Sequence, residues 1–419
     1  MDGQPVRKLR RVLTMASLVL AGESIYSLPY YLRRDYAKVI VDATGISNTE
    51  LGTLTSMLGV VALLCYFPGG WLADRFQARN MLVVSLVSTA CGGLVLATLP
   101  GYSTMLALFA IWGITSILTF WGALIKATRA WGGKEEQGRA FGILDGSRGV
   151  VGALLASIAL ATFSSFDDAT GGLRSVIWLY TASTLAVAVF CWFAMPAGDA
   201  TRAHAEKTIT PKHDSGRADE NGLTAVLRMP VVWLQAVIIL TAYAGYWGTF
   251  DVAQYAVEGY GQSDAQGAGY SVFGTWLRPF ACIGAGFVAD RLGASRTIAG
   301  AFVVMTAAFA SLALTPPTAS TMWLLWLNTA AICAGAFALR GIYYALLEEG
   351  RVPLHLTGTA VGVVSIIGYL PDILIPPLLG WLLDTYPGGA GHRVFFTILA
   401  VGGIVGLSAA MLLRRRSRA

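Results

Sequence analysis

The stretch "GWLADRFQAR", residues 70–79, sets Asp74, Arg75 and Arg79 between two long apolar runs, where a plain turn would have served. The chain repeats it as "GFVADRLGASR", residues 286–296, with Asp290 standing 216 positions after Asp74. Farther out, Ser47 and Ser263 open the second and eighth apolar runs at the same offset of 216. "GRAFG" (138–142) and "GTAVG" (358–362) open the fifth and eleventh at an offset of 220. Anchors that agree this closely indicate two parallel repeats of six segments each.

Composition decides what the segments are. Of 419 residues, 55% are hydrophobic and 13% charged, against roughly 25% charged in a soluble domain. A membrane helix needs roughly 20 mostly apolar residues. Twelve such runs are found, at about 12–41, 49–70, 80–99, 104–128, 139–162, 174–194, 229–257, 265–287, 297–315, 321–346, 358–382 and 392–413. The fold class expected is therefore an all-α polytopic membrane protein with its helices in two six-helix bundles. Residues 197–228 form the long polar segment that divides the bundles, 1–196 and 229–419. The N-terminal apolar run lacks a small-residue cleavage site and is read as a retained first span.

Lys and Arg collect on one side. Arg7, Lys8, Arg10 and Arg11 precede the first run. Further basic residues fall in loops 2–3, 4–5, 8–9 and 10–11, in the linker and in the tail, while the opposite loops hold chiefly Arg174 and Arg393. Both termini are expected to be cytoplasmic, in an inner (cell) membrane. The net charge of +6 is spread between spans rather than over one basic face, so no nucleic-acid partner is expected. The five cysteines sit within apolar runs and the four histidines (His204, His213, His355, His392) in predicted loops, far apart. Neither a metal site, a cofactor nor an enzyme's nucleophile–base pair is expected.

The doubled loop resembles the signature loop of the major facilitator superfamily, and the likeness extends to helix count, linker position and repeat. It implies a secondary transporter. Gly70, Asp74, Arg75 and Arg79, with Gly286, Asp290 and Arg291, would form a conformational latch: the glycines for close helix approach, the acids facing a helix N-terminus. Gln77 replaces the glycine found at that place in the family, whereas Gly293 keeps it. "YYLRRDYAKVIVDATG" (30–45) is also similar to the first-helix region of organophosphate/phosphate antiporters and related organic-anion transporters, where Tyr-Tyr-Leu precedes a substrate-binding arginine. Arg34 takes that position, and Tyr246 falls where those antiporters place a second arginine.

Ionisable groups inside spans are costly and mark function. Glu23, Tyr26, Tyr30 and Arg34 share one helical face at 3.6 residues per turn. Tyr243, Tyr246, Trp247, Asp251, Gln254 and Tyr255 largely share another. Arg278 lies deep in the eighth run, Arg340 and Tyr344 in the tenth, and Asp372 among prolines in the eleventh. Lys126 and Arg340 come late in their runs and have the alternative of snorkelling. Asp145 and Arg148 are spaced for a mutual ion pair, and Arg34 or Arg278 for pairing with Glu23 or Asp372. Arginine grips carboxylate and phosphate in two-pronged fashion. The substrate-contacting set read from sequence is thus Arg34, Arg278, Arg340, Lys126, Tyr26, Tyr30, Tyr246, Trp247 and Tyr344, with Glu23, Asp251 and Asp372 as proton-coupling candidates. The function expected is alternating-access transport of a small organic anion (a carboxylate, sulfonate or phosphate ester), proton-coupled, by a monomer in the lipid bilayer. The rivals are an anion exchanger and a multidrug or cation exporter.

Overall fold

The computed structural model describes residues 3–133, 136–196, 220–346 and 356–418. Most of the 197–228 linker, and with it His204 and His213, lies outside the described residues, as do Lys134, Arg351 and His355.

Among the described residues, twelve helices are long and apolar enough to cross a membrane. They follow the runs read from hydropathy. α1 (Leu9–Thr44), α2 (Asn48–Arg75), α3 (Ala78–Leu96), α4 (Tyr102–Gly132), α5 (Gln137–Phe163) and α6 (Ala169–Ala194) form the first set. α7 runs from Pro230 to Trp247 and resumes over Val252–Glu258. α8 (Asp264–Leu292), α9 (Ala294–Leu314), α10 (Ala319–Ala345), α11 (Thr357–Gly368, then Pro371–Thr385) and α12 (Gly389–Arg418) complete the second.

The helices gather into two compact units. The first is Met1–Ile46 with Thr53–Lys212; the second is His213–Ala419 together with Ser47–Gly52, the opening of α2. Within the first, Leu18, Leu82, Phe120, Leu124 and Cys191 are buried together. Within the second, Ile239, Phe302, Met305, Phe309 and Phe396 are. Large apolar side chains such as Phe193, Phe280, Phe287 and Leu314 stand exposed. Apolar surface facing outward is what a lipid solvent favours, since every backbone group is already bonded within its helix.

The repeat seen in the sequence is drawn in hydrogen bonds. Glu50 N–H donates to Ser47 Oγ at 3.1 Å and Ser47 N–H to Glu50 Oε2 at 2.8 Å. At the same offset, Gln266 N–H donates to Ser263 Oγ at 3.3 Å and Ser263 N–H to Gln266 Oε1 at 2.9 Å. Both α2 and α8 thus begin with a capping box, which satisfies two orphan donors of the first turn. Their far ends differ. Gly293 closes α8 with φ of 91°, a left-handed value open to glycine, whereas Gln77 is extended at φ −69°. The departure of Gln77 from the repeat therefore changes the turn: two residues separate α2 from α3, and one separates α8 from α9.

Two expectations about the doubled loop are corrected. A Cβ built on Gly70 or Gly286 meets nothing within 4 Å, so neither glycine marks a close approach within its unit. The tight pair is Gly69 and Gly122: a Cβ on Gly69 would lie 3.1 Å from the carbonyl oxygens of Ile117 and Leu118, and one on Gly122 3.0 Å from that of Gly69. Lys126 is the second correction. Its ammonium donates to the carbonyls of Ala73 at 2.6 Å and of Asp74 and Phe76 at 3.4 Å. It caps the C-terminal end of α2, where orphan carbonyls and the negative end of the helix dipole favour a cation. We expect Lys126→Met to destabilise the purified protein by about 1–2 kcal/mol and to leave ligand-induced thermal shifts intact. Loss of those shifts would return Lys126 to the binding site.

At the same end of the first unit, Glu136 accepts from Arg11 and, at 2.9 Å, from Arg139. The Arg11 hydrogen bond, then its charge, holds the Glu136 carboxyl below its ordinary 4.5. A lowered folded-state value contributes stability above about 4.5 that disappears as pH falls through the lower value. Since Glu136 is exposed to solvent and screened, Glu136→Gln should shift thermal stability only slightly at pH 7, and not at all once both forms are protonated.

Candidate functional site

Several helices that carry polar residues into the apolar layer, α1, α7, α10 and α11 among them, are interrupted where they do so. α1 breaks into a wide i→i+5 turn over Ser27–Tyr31, which contains Pro29. α7 gives way to a 3₁₀ turn at Gly248–Phe250, and α10 ends in one at Tyr343–Ala345. α11 stops at Gly368 and restarts at Pro371, which has no N–H to offer the preceding turn. Irregular backbone inside a membrane helix is tolerated where protein or water satisfies it.

In the second unit these interruptions converge on Arg340. Its guanidinium lies over the ring of Tyr246 at 4.0 Å and of Tyr243 at 5.2 Å. Tyr243 O–H donates to Asp372 Oδ2 at 3.2 Å, and Trp247 Nε1–H donates to Asp372 Oδ1 at 3.0 Å. The Tyr369 hydroxyl sits 3.3 Å from that of Tyr343 and 3.1 Å from that of Tyr344, which also meets Ser365 at 3.0 Å. A delocalised cation over phenol rings, with further hydroxyls beside it, is a set of donors chemically able to receive an anion. Among the described residues Arg340 forms no ion pair.

The first unit holds a different arrangement. Glu23 is buried and accepts from Tyr31 O–H and, at 3.2 Å, from Arg148 Nε–H. Glycine makes the room: a Cβ on Gly152 would overlap Glu23 Oε1, and one on Gly22 would stand 3.1 Å from Arg148 Cδ and Nε. Arg148 also meets Asp145 at 3.4 Å, the ion pair expected from spacing. Asp145's side chain is 69% exposed and Glu23's 1%, so the Glu23 pair carries the energy. Tyr26 and Tyr30 touch edge to face at 5.8 Å.

The single face expected for Glu23, Tyr26, Tyr30 and Arg34 does not survive the wide turn. Beyond it the winding has slipped, and Arg34 lies over Tyr31 at 4.7 Å. Its guanidinium is bonded to its neighbour Asp35, at 2.6 and 2.9 Å. Both partners are buried. Arg278 is half-buried in the middle of α8. Asp74, Arg75, Asp290 and Arg291 are exposed within their units; Arg75 stacks on Trp71 at 3.9 Å and Arg79 on Trp192 at 4.3 Å.

His392 overturns another expectation. Placed in a loop at the very start of the last apolar run, it is fully buried in α12. Its Nδ1 lies 2.8 Å from Asp251 Oδ1 and its Nε2 3.2 Å from Glu258 Oε2. The α7 face named Asp251, Gln254 and Tyr255 but stopped one turn short of Glu258. That i, i+3, i+4, i+7 progression was the available signal. Tyr343 shares the helical face of Arg340 and Tyr344 in the sequence, whereas Tyr369, three residues before Asp372, is an addition from the structure.

The family model described as Major Facilitator Superfamily matches residues 13–376. The inner membrane protein YihN of Escherichia coli is 27% identical over 402 residues, covering 95% of this chain and 94% of its own. The nitrite extrusion protein of Bacillus subtilis is 24% identical over 364 residues, covering 85% and 82%. Among solved structures, a bacterial homologue of the human lysosomal transporter Spinster, inward-facing and unoccupied, superposes with a TM-score of 0.73 at 15% identity, over 97% of each chain.

Proposed function

This chain belongs to the Major Facilitator Superfamily, and on that premise we propose that it is a secondary transporter moving a small organic anion by alternating access, with both termini cytoplasmic. The observation that carries the substrate class is Arg340, a guanidinium stacked on Tyr246 and Tyr243. The rings hold the cation in place, its N–H groups suit a carboxylate, sulfonate or phosphate, and Tyr343, Tyr344 and Tyr369 supply hydroxyls alongside. Asp372, held by Trp247 and Tyr243, orients the tyrosine on which the cation rests. The Bacillus relative is a nitrite extrusion protein, and nitrite is an anion, which supports the same sign. Arg34, bonded to Asp35, is not advanced as the main grip.

A thermal-shift panel of sugar acids, dicarboxylates, phosphate esters and sulfonates on the purified protein tests this reading. We expect at least one anion to raise the melting temperature. Arg340→Ala should weaken that ligand by about 10–100-fold, the loss of a hydrogen bond to a charged group being worth roughly 1.5–3 kcal/mol. Arg340→Lys should restore only part, since an ammonium keeps the charge and loses the fork. Stabilisation by organic cations alone would overturn the anion assignment and favour an exporter of the drug type.

A further inference from the structure

At one end of the second unit, a groove of about 410 Å³ lies where α7 begins and α12 ends. None of the residues of the Arg340 site lines it. Pro230 opens α7, and Trp233, Leu234 and Val237 follow it along the groove wall. Their spacing of i, i+3, i+4 and i+7 makes one stripe, which climbs about 10 Å along the helix. Leu412 forms the facing wall on α12. It stands on the same side of that helix as Val401 and Val405, at i−11 and i−7, and all three are exposed. The outward apolar face of α12 therefore runs into the groove, and acyl chains of the bilayer reach it directly.

The mouth has the opposite chemistry. Arg228, two residues ahead of Pro230, and Arg416, one turn beyond Leu412, bring two guanidinium groups to the same end. The lining holds no acid. Among the described residues, neither arginine forms an ion pair or lies over an aromatic ring. In the first unit, by contrast, Arg11, Arg75 and Arg79 each lie over a tryptophan. Trp233 is engaged elsewhere: its Nε1–H donates at 2.7 Å to the carbonyl of Leu227, the last residue of the short helix Glu220–Leu227. That bond satisfies an orphan carbonyl and leaves the apolar body of the indole to the groove.

We propose that this groove binds an anionic phospholipid, with its phosphate at Arg228 and Arg416 and an acyl chain along the α7 stripe. Each half of the lining calls for one half of that ligand. A soluble anion would match the guanidinium groups and leave Trp233, Leu234, Val237 and Leu412 without an apolar partner. A zwitterionic headgroup would bring its own ammonium to a mouth that already holds two cations. Basic pockets between membrane helices, beside a leaflet of negative lipid, take anionic headgroups for this reason. The site is separate from the one assigned to the transported anion.

Native mass spectrometry of the full detergent-solubilised chain tests the proposal without any transported solute, so its result is independent of the Arg340 ligand panel. Phosphatidylglycerol and phosphatidylcholine with the same acyl chains are added together. Wild type should retain phosphatidylglycerol in preference by about 10–25-fold, and Arg228→Gln and Arg416→Gln should each remove about fivefold of it, the scale of one arginine at a charged membrane surface. Arg415→Gln, on the same tail but outside the lining, should keep the preference. Glycerol 1-phosphate, a headgroup with no tail, should not displace the lipid. Leu412→benzoylphenylalanine, irradiated in nanodiscs holding both lipids, should cross-link to phosphatidylglycerol. Equal retention of the two lipids, a loss in Arg415→Gln as large as in Arg228→Gln, or displacement by glycerol 1-phosphate would overturn the proposal. So would cross-links to the polar linker or to a second copy of the chain, which would be the occupant instead.

Discussion

Replacing Arg148 by Ala should destabilise the protein by about 3–5 kcal/mol, among the largest effects expected of a single truncation here. The change removes the guanidinium that faces Glu23 Oε2 at 3.2 Å and leaves a carboxylate whose side chain is 1% exposed. Tyr31 still donates to it, but a hydroxyl does not neutralise a buried charge. Glu23→Gln in the Arg148→Ala background should recover most of the loss. The pair would then show a coupling energy of about 2–3 kcal/mol in a double-mutant cycle, within the range found for residues in direct contact. Thermal denaturation in detergent, with the two single variants and the double, reads the cycle. Additive singles would mean that Asp145, not Glu23, is the partner that matters.

Gly380→Val should be as damaging for a different reason. A Cβ on Gly380 would overlap the Asn48 carbonyl oxygen, and one on Gly52 would overlap that of Pro376. The obstacles are backbone atoms, which cannot rotate aside as a flexible side chain can. Overpacking of this kind costs typically about 1–3 kcal/mol and more where the backbone is met. The substitution pushes the start of α2 off α11 and away from Asp384, which accepts from the N–H groups of Asn48 and Thr49. We expect fast amide hydrogen–deuterium exchange over 47–52 and transport reduced at least about tenfold, with the α9 and α12 core still protected. An unperturbed 47–52 segment would show that the two helices do not depend on glycine at this crossing.

Hydropathy and charge bias were enough to place twelve spans, because lipid imposes length and apolarity on each span without reference to its neighbours. The site was only partly legible. The face drawn through Glu23, Tyr26, Tyr30 and Arg34 assumed uniform winding, and the wide turn at Ser27–Tyr31 breaks that assumption. Lys126 looked like a ligand group because its acceptors are main-chain carbonyls, which leave no mark in a sequence. His392 looked like a loop residue because its partners, Asp251 and Glu258, stand more than 130 positions away. Arg340 was recognisable by its neighbours Tyr343 and Tyr344, although the rings that support it come from α7.

The wide turns in α1 and in α4, at Ile114–Trp121, amount to an extra amino acid accommodated inside an otherwise regular coil. Everything after each turn is phased to that surplus. Shortening the chain by one residue within either segment would let the coil close normally and keep the downstream faces pointing as they do, whereas the same deletion elsewhere in α1 or α4 would rotate them by about 100°. These two places are therefore where relatives can differ in length within a membrane span and still present the same surfaces.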